Sequence, residues 1–413
     1  MRMTNDSTDK NENKHRPLEG IRVVECAIFH AGPGAGAILG DLGAEVIKIE
    51  AKQGDPMRGW SRAGGFSFDL PGNRNFVHEF TNRNKRGITL DITKDKGQEV
   101  LHRLVGECDV FLTNFRKSTK AKLGLTLENL SNYNPRLILA NVSGYGPDGP
   151  DSNEGAYDPL GQARSGMMTI QDVENPSVLQ IGILDQATAI AASHEIITAL
   201  LVRERLGIGQ EVEVSLLSTA IWLLSMNIMA ASFFKSNPTL CWDRPLNTPL
   251  RNSFCCKDGL WLMGVHHPPE KYWRSLCEAT GQIELADDPR FDTEEKRVGN
   301  CAELVALFDQ VFLTKNRDEW LTIFKSHRMM FTPVQTCLDV LDDTQALENN
   351  YIVEVDHPDF GRMKVPGYPI HFSETPADAW SPAPAVGQHT EEVLHELGYT
   401  PREIEQLREE EII

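Results

Sequence analysis

Paired cysteines, zinc-ligand spacing and a membrane-length apolar run are all missing from this chain. Its eight cysteines are Cys26, Cys108, Cys241, Cys255, Cys256, Cys277, Cys301 and Cys337, and none forms a C-x-x-C pair. Neither a disulfide framework nor a zinc site is visible in that spacing, so reduced thiols in a cytoplasmic protein are expected. The longest apolar run, residues 221–231, is broken by Ser225 and Asn227 and falls short of a membrane span. Residues 1–17 are polar and charged, without an apolar centre, and read as a disordered tail instead of a signal peptide. Positive charge is scarce. Fifty-nine acids against 41 bases leave a formal charge of −18. That balance excludes general nucleic-acid binding and makes any local cluster of cations informative. No internal repeat is found.

What is present is enough for two domains: 413 residues, 40% of them hydrophobic. Residues 21–27 read as a strand, 32–36 as a glycine turn, 35–42 as a helix and 44–50 as a second strand. Strand, turn, helix and strand in about thirty residues make a Rossmann-like start. The dinucleotide fingerprint is absent, because the turn carries Pro33 and its spacing is not G-x-G-x-x-G. Glu50 at the second strand's end is a weak ribose ligand, which leaves an NAD-dependent oxidoreductase as a minor alternative.

The alternation continues, with strands at 87–91, 108–112 and 137–142 and helices at 94–106 and 125–133. A parallel sheet with crossover helices follows from it. Helices are expected at 156–168 and 218–231, and a strand at 211–216. Residues 233–252 are turn-rich and read as a linker. A small α+β domain covers 253–343, with a hairpin about Lys257-Asp258-Gly259 and helices at 269–280, 300–314 and 317–326. A second linker is placed at 344–356. The adjacent His266 and His267 face apart in a strand, so no metal site is expected there.

The stretch that concentrates chemical interest is Gly182-Ile183-Leu184-Asp185, which opens a long Ala-rich helical run. Asp185 at such a junction is either a helix cap or a carboxylate nucleophile. As a nucleophile it is expected to be held ionised by the helix N-terminus, whose free N–H groups would also serve a developing oxyanion. Asp158 is expected to cap its own helix. Two basic clusters, Asn82–Gly87 by number and 114–122, together with Lys48 and Lys52, sit at strand ends. They are either phosphate sites or solvated faces.

Taken in order, these motifs resemble the class III CoA-transferases (formyl-CoA transferase-like, including crotonobetaine, bile-acid and aryl-lactate CoA-transferases). The matching stretches are residues 18–25, Ala31-Gly32-Pro33, residues 43–50, Asn84-Lys85-Arg86, Asn114-Phe115, residues 142–146, Ala156-Tyr157-Asp158 and Gly209-Gln210. The resemblance spans residues 17–413.

It implies an α/β fold in which both chain ends, 18–232 and 357–413, build one large Rossmann-like domain. It also implies a ring-shaped chain in an interlocked homodimer. The implied activity is transfer of CoA from an acyl-CoA thioester to a free carboxylic acid through an aspartyl anhydride and thioester on Asp185, with His30 beside the reacting centre. The implied CoA contacts are Ala31, Lys52, Leu90, Asp91, Ile92, Thr93, Asn114, Phe115, Lys122, Gly144 and Tyr145. No tightly bound cofactor and no metal are implied; acyl-CoA and a small carboxylic acid are the partners, with no nucleic acid or membrane.

Ala51 replaces an Arg of formyl-CoA transferase, and no Gly-rich loop lies near Gly259, so oxalate is not the expected acid. Tyr157 stands where related racemases carry His, which makes an α-methylacyl-CoA racemase-like isomerase the alternative. A CoA-binding protein without catalysis is a further one.

Overall fold

The computed structural model describes residues 15–237 and 243–413. Most of the tail expected at 1–17, and positions 238–242 of the first linker, lie outside the described residues. The chain divides into two compact units, Met1–Thr239 with Asn350–Ile413, and Leu240–Asn349.

The first unit is built on six parallel strands: β1 Arg22–Cys26, β2 Glu45–Glu50, β3 Lys85–Thr89, β4 Val110–Thr113, β5 Ile138–Ser143 and β6 Gln210–Ser215. Their order is β6-β5-β4-β1-β2-β3, every pairing parallel. The inner strands are apolar on both faces because both faces are covered. Val24, Ile47, Phe111 and Leu139 pack beneath helix Asp95–Glu107 and the C-terminal helices Thr390–Glu396 and Pro401–Glu409. Val23, Val46, Val110 and Ile138 point the other way. There they meet helix α1 (Ala31–Asp41) and the 24-residue helix Ile183–Leu206. The last residues of the chain thus complete the domain that its first residues begin.

The α1 contact with that long helix is close because its residues are small. A Cβ built on Gly34 would stand 2.9 Å from the Ala189 Cβ. The expected glycine turn at 32–36 is therefore not a turn. Gly32, Pro33 and Gly34 occupy the first helical turn, where Pro lacks an N–H that has no partner anyway.

Under the sheet's upper edge lies a fully buried ion cluster. Lys48 Nζ donates to Glu25 Oε1 at 3.0 Å, to Asp55 Oδ2 at 3.0 Å and to the Ala27 carbonyl at 2.8 Å. Burial opposes that charge, and Glu25 and Asp55 outweigh it, so the ammonium is held above its ordinary pKa.

The second unit holds a three-stranded antiparallel sheet of Arg251–Cys255, Trp261–Val265 and Phe331–Pro333. It packs on helices Pro269–Thr280, Cys301–Phe312 and Arg317–Ser326 around Phe254, Phe308, Phe312, Trp320 and Phe324. His266 is structural here. Its Nδ1–H donates to the Leu250 carbonyl and its Nε2 accepts from Met330 N, at 2.9 Å each.

Other expectations fail for local reasons. The helix expected at 218–231 is two helices, Leu216–Leu223 and Ser225–Phe234, bent by 69°. No single described helix is long and apolar enough to cross a membrane, although that bent pair has the length and composition. The linker expected at 344–356 contains helix Thr344–Glu348 and strand Ile352–His357, which pairs with Gly361–Pro366. The polar faces of that hairpin hid it from a periodicity argument.

Replacing Lys48 tests how far the sheet edge depends on its buried charge. Lys48→Met leaves Asp55 buried without its cation and Glu25 with Lys85 alone, and should lower unfolding free energy by about 3–5 kcal/mol. Urea unfolding at neutral pH measures this, and a loss below about 1 kcal/mol would assign the cluster no stabilising role.

Candidate functional site

The strand order reverses between β1 and β4, so the loops that leave these two strands open a crevice at their carboxyl ends. Asn114, just after β4, closes its floor. Its Oδ1 accepts from Ile28 N at 3.0 Å and its Nδ2 donates to the Ile28 carbonyl at 2.7 Å. Phe29 follows in the left-handed region with φ +66°, rare for a residue with a side chain. Such a conformation costs on the order of 1–3 kcal/mol and has to be held in place. Asp55 Oδ1 holds it by accepting from Phe29 N at 3.1 Å, while Asp55 Oδ2 takes the Lys48 ammonium. The buried ion cluster therefore fixes the residue that aims His30.

His30 is the N-cap position of α1. Its Nε2–H donates to Gln186 Oε1 at 3.2 Å, and its Nδ1 lies 3.9 Å from Asp185 Oδ2. Burial lowers the imidazole's pKa, with only partial opposition from the Gln186 hydrogen bond and the Asp158 charge.

Asp185 does not cap its helix. The N-cap is Gly182, at φ +82°, and Asp185 is the third helical residue. The cap comes from a different helix, Asp158–Ser165. Asp158 Oδ2 accepts from Leu184 N at 2.7 Å and from Asp185 N at 3.1 Å. Asp158 was expected to cap its own helix; it caps its neighbour's instead. Gln162 secures the approach, donating to Asp158 Oδ1 and to the Gln180 carbonyl and accepting from Leu179 N.

This arrangement overturns the expectation that the helix N-terminus keeps Asp185 ionised and free N–H groups at hand. Two of those groups are already used by Asp158. Burial first, and the Asp158 charge second, push the Asp185 carboxyl up to about 7. A fifth of its side-chain surface still opens to the crevice.

That crevice is a cavity of about 1810 Å³, lined entirely by the first unit. Of the residues singled out in the sequence, Asp185, His30, Ala31, Asn114, Phe115 and Gly144 line it. Lys52, Leu90, Asp91, Ile92, Thr93, Lys122 and Tyr145 are not among its walls. Leu90 and Ile92 are buried in the sheet core, and Tyr145 stacks beneath the Arg164 guanidinium. Lys52 and Lys122 are exposed on the surface.

The first basic cluster is occupied within the fold. Arg83 is held by Asp41, Lys85 by Glu25 and the Pro33 carbonyl, and Arg86 by Glu45 and Glu396. Lys48 is likewise spent on the buried cluster. Arg116, Lys117 and Lys120 are the cations that reach the cavity among the described residues. Glu50, the ribose candidate, accepts from Asp55 N and Arg58. With α1 beginning where a dinucleotide turn would be needed, the NAD reading loses both of its supports.

Sequence reasoning missed residues 56–80, which carry much of one wall. Their strands are two residues long and their hairpins rest on Gly64-Gly65 and Gly72. The signal was the run of aromatic residues, which periodicity does not weigh.

Residues 18–390 match the model of CoA-transferase family III. The chain is 31% identical to (R)-2-hydroxy-4-methylpentanoate CoA-transferase of Clostridioides difficile, over 96% of this chain and 99% of that one. It is 32% identical to cinnamoyl-CoA:phenyllactate CoA-transferase of Clostridium sporogenes, over 97% and 98%. A crystal structure of a CAIB/BAIF family protein from Brucella suis superposes with a TM-score of 0.82 at 30% identity, covering 93% of this chain and all of that one.

The electrostatics can be read directly. With aspartates labelled at the side-chain carbonyl, carbon NMR should show one Asp titrating near 7 and lost in Asp185→Asn. Asp158→Asn retains an accepting oxygen but removes a charge, and should shift that midpoint to lower pH. A midpoint in the ordinary carboxylate range in the wild type would contradict the burial argument.

Proposed function

The chain belongs to CoA-transferase family III, and from that premise we propose that it moves coenzyme A from an acyl-CoA thioester to a free carboxylic acid through Asp185. One observation carries this reading. Asp185 is a half-buried carboxylate on the cavity wall, and neither Asp158 beside it nor His30, 3.9 Å away, offsets the burial that raises its pKa. A carboxylate raised to about 7 is a stronger nucleophile when ionised than an ordinary aspartate.

In this mechanism the ionised Asp185 attacks the thioester carbon. The C–S bond breaks, giving an aspartyl–acyl anhydride and CoA thiolate. The thiolate attacks the Asp185 carbonyl, releasing the donor acid and leaving an aspartyl-CoA thioester. The acceptor carboxylate attacks that thioester, forming a second anhydride and thiolate. Attack of the thiolate on the acceptor acyl carbon completes the transfer and frees Asp185. No proton is gained or lost over the cycle, and no metal or bound cofactor enters it.

Ala31 and Gly32 open α1, so their N–H groups have no partner within the helix and suit the developing oxyanion. The Nε2–H of His30 and the Gln186 amide are polar groups close to the same point. We assign Asn114, Phe115 and Gly144 to the pantetheine path and Arg116, Lys117 and Lys120 to the phosphates. Lys52, Asp91, Thr93, Lys122 and Tyr145 then belong to the nucleotide end, outside the cavity.

The transferase names of both curated relatives favour this reading over a racemase. An interlocked homodimer is part of it. Exposed apolar side chains on the bent helix pair support a partner surface: Trp222 is 80% exposed, and Met226, Phe233 and Phe234 are close to that. A cytoplasmic setting accords with seven described cysteines, all free.

Asp185→Asn keeps shape and fold but is not nucleophilic. It should leave circular dichroism and melting unchanged and cut turnover by at least about a thousandfold. Wild type incubated with acyl-CoA alone and then hydroxylamine should carry a hydroxamate at Asp185 and at no other acid. Undiminished Asp185→Asn activity, or a label on Asp158, would identify a different nucleophile. Sedimentation at nanomolar concentration should show only dimer, because threaded chains part only by unfolding; a folded, active monomer would reject the interlocked arrangement.

A further inference from the structure

The wall next to Asp185 and His30 is aromatic. Phe29 adjoins His30 and Tyr157 adjoins Asp158, and both rings line the cavity. Trp60, Phe66, Phe76 and Phe80 line it from the excursion between β2 and β3. These rings form a continuous surface. Phe29 meets Trp60 at 6.0 Å and Tyr157 at 5.3 Å between centroids, both nearly perpendicular. Phe66 meets Phe76 at 6.0 Å, also perpendicular. Phe68, which is buried, backs both Trp60 and Phe76. Phe80 stands 6.3 Å from the His30 ring. Much of this surface is bare: Tyr157 is 53% exposed, Phe66 64% and Trp60 38%.

Bare aromatic surface at a reacting carboxylate has to be covered by something apolar when substrate is bound. Resting on the transferase reading above, we propose that the acyl subsite takes an aryl acyl group, its ring packed against Phe29, Trp60 and Tyr157 while its thioester carbon faces Asp185.

Two other acyl classes fit less well. A dicarboxylic acyl group needs a cation for its second carboxylate. The cavity's cations among the described residues are Arg116, Lys117 and Lys120, on the segment that follows β4. Lys120 is already bound to Asn141 and near Glu211. A carboxylate set among the rings would be desolvated without a partner. A quaternary ammonium acyl group needs several ring faces converging on one point. Here Phe29 stands nearly perpendicular to both Trp60 and Tyr157, and those two are tilted at 53° to each other, so the rings engage one another edge-to-face, the geometry in which a further ring also packs.

A donor panel tests this on the wild-type enzyme: phenylpropanoyl-CoA, succinyl-CoA, γ-trimethylammoniobutyryl-CoA and acetyl-CoA, with one common acceptor. Phenylpropanoyl-CoA should exceed both charged donors in kcat/KM by about a hundredfold or more, the discrimination expected when a buried polar group goes unpaired. Trp60→Leu and Tyr157→Leu should each lower the ratio of phenylpropanoyl to acetyl turnover by about tenfold, the scale of a pocket contact. A charged donor used as well as the aryl donor overturns the proposal while leaving the transferase reading intact. So does an unchanged ratio in both folded variants. Wild type that transfers from no donor and forms no hydroxamate at Asp185 overturns both.

Discussion

The geometry of the site depends on one buried ammonium. Lys48 ties β1, through Glu25 and the Ala27 carbonyl, to Asp55 in the loop beyond β2. Asp55 spends its other oxygen on Phe29 and Met57. The charge therefore does more than neutralise acids. It fixes a left-handed Phe29 that no local preference would choose, and Phe29 sets the direction of His30 and the start of α1. A hydrophobic residue of similar size could fill the space of Lys48, yet it would leave Asp55 free to turn away from the backbone it restrains. Buried ion pairs are poor sources of stability and better sources of specific geometry, and here the geometry is that of the cavity wall.

The second constraint is electrostatic. A carboxylate in the first turn of a 24-residue helix would ordinarily be stabilised as an anion. Asp158 removes that benefit by occupying the N–H groups of Leu184 and Asp185 and adding a negative charge nearby. Burial first, and the Asp158 charge second, raise the Asp185 pKa. The helix end is thus used to place the carboxylate, and its ability to hold an anion is spent on Asp158. Donors for an oxyanion have to come from elsewhere, and the first turn of α1 has two to offer. Pro33 at its third position has no N–H to leave unpartnered.

Much of this was legible in the sequence, and the reasons divide cleanly. The inner strands are buried on both faces, so their apolar runs announce them, while the edge strand Gln210–Ser215 shows as an alternation; each lies within about two residues of its expected place. Helices 269–280 and 317–326 carry strong apolar stripes and were found to the residue. Asp185 stood out because Gly182 and an Ala-rich run frame it. The glycine-rich start of α1 reads as a turn because Gly is a poor helix former; close approaches of Gly32 to Ala27, Gly34 to Ala189 and Gly36 to Glu25 explain it instead. The basic cluster at 82–87 looked like a phosphate site because its partners, Asp41, Glu25, Glu45 and Glu396, are distant in sequence. Charge pattern shows where cations are, and only tertiary structure shows which are already paired. The role of Asp158 was hidden for the same reason: its capping partners lie 26 and 27 residues away.

Chemistry and selectivity occupy different parts of this chain. Asp185, His30, Asp158 and Asn114 are anchored to the parallel sheet and its two closest helices, where small residues and buried charge leave little freedom. Four of the aromatic wall residues, Trp60, Phe66, Phe76 and Phe80, belong instead to one excursion between β2 and β3. Its strands are two residues long, and it meets the buried charges at its two ends, through Asp55 and through Asn82, which accepts from Lys85. Side chains there can change size or polarity without disturbing Lys48 or the helix that carries Asp185. If Asp185 is the nucleophile and these rings hold the acyl body, as proposed above, a fold arranged this way can keep one acyl-transfer mechanism while its acid changes. For this chain the excursion is aromatic, and on the reading proposed above that composition selects an aryl acyl group.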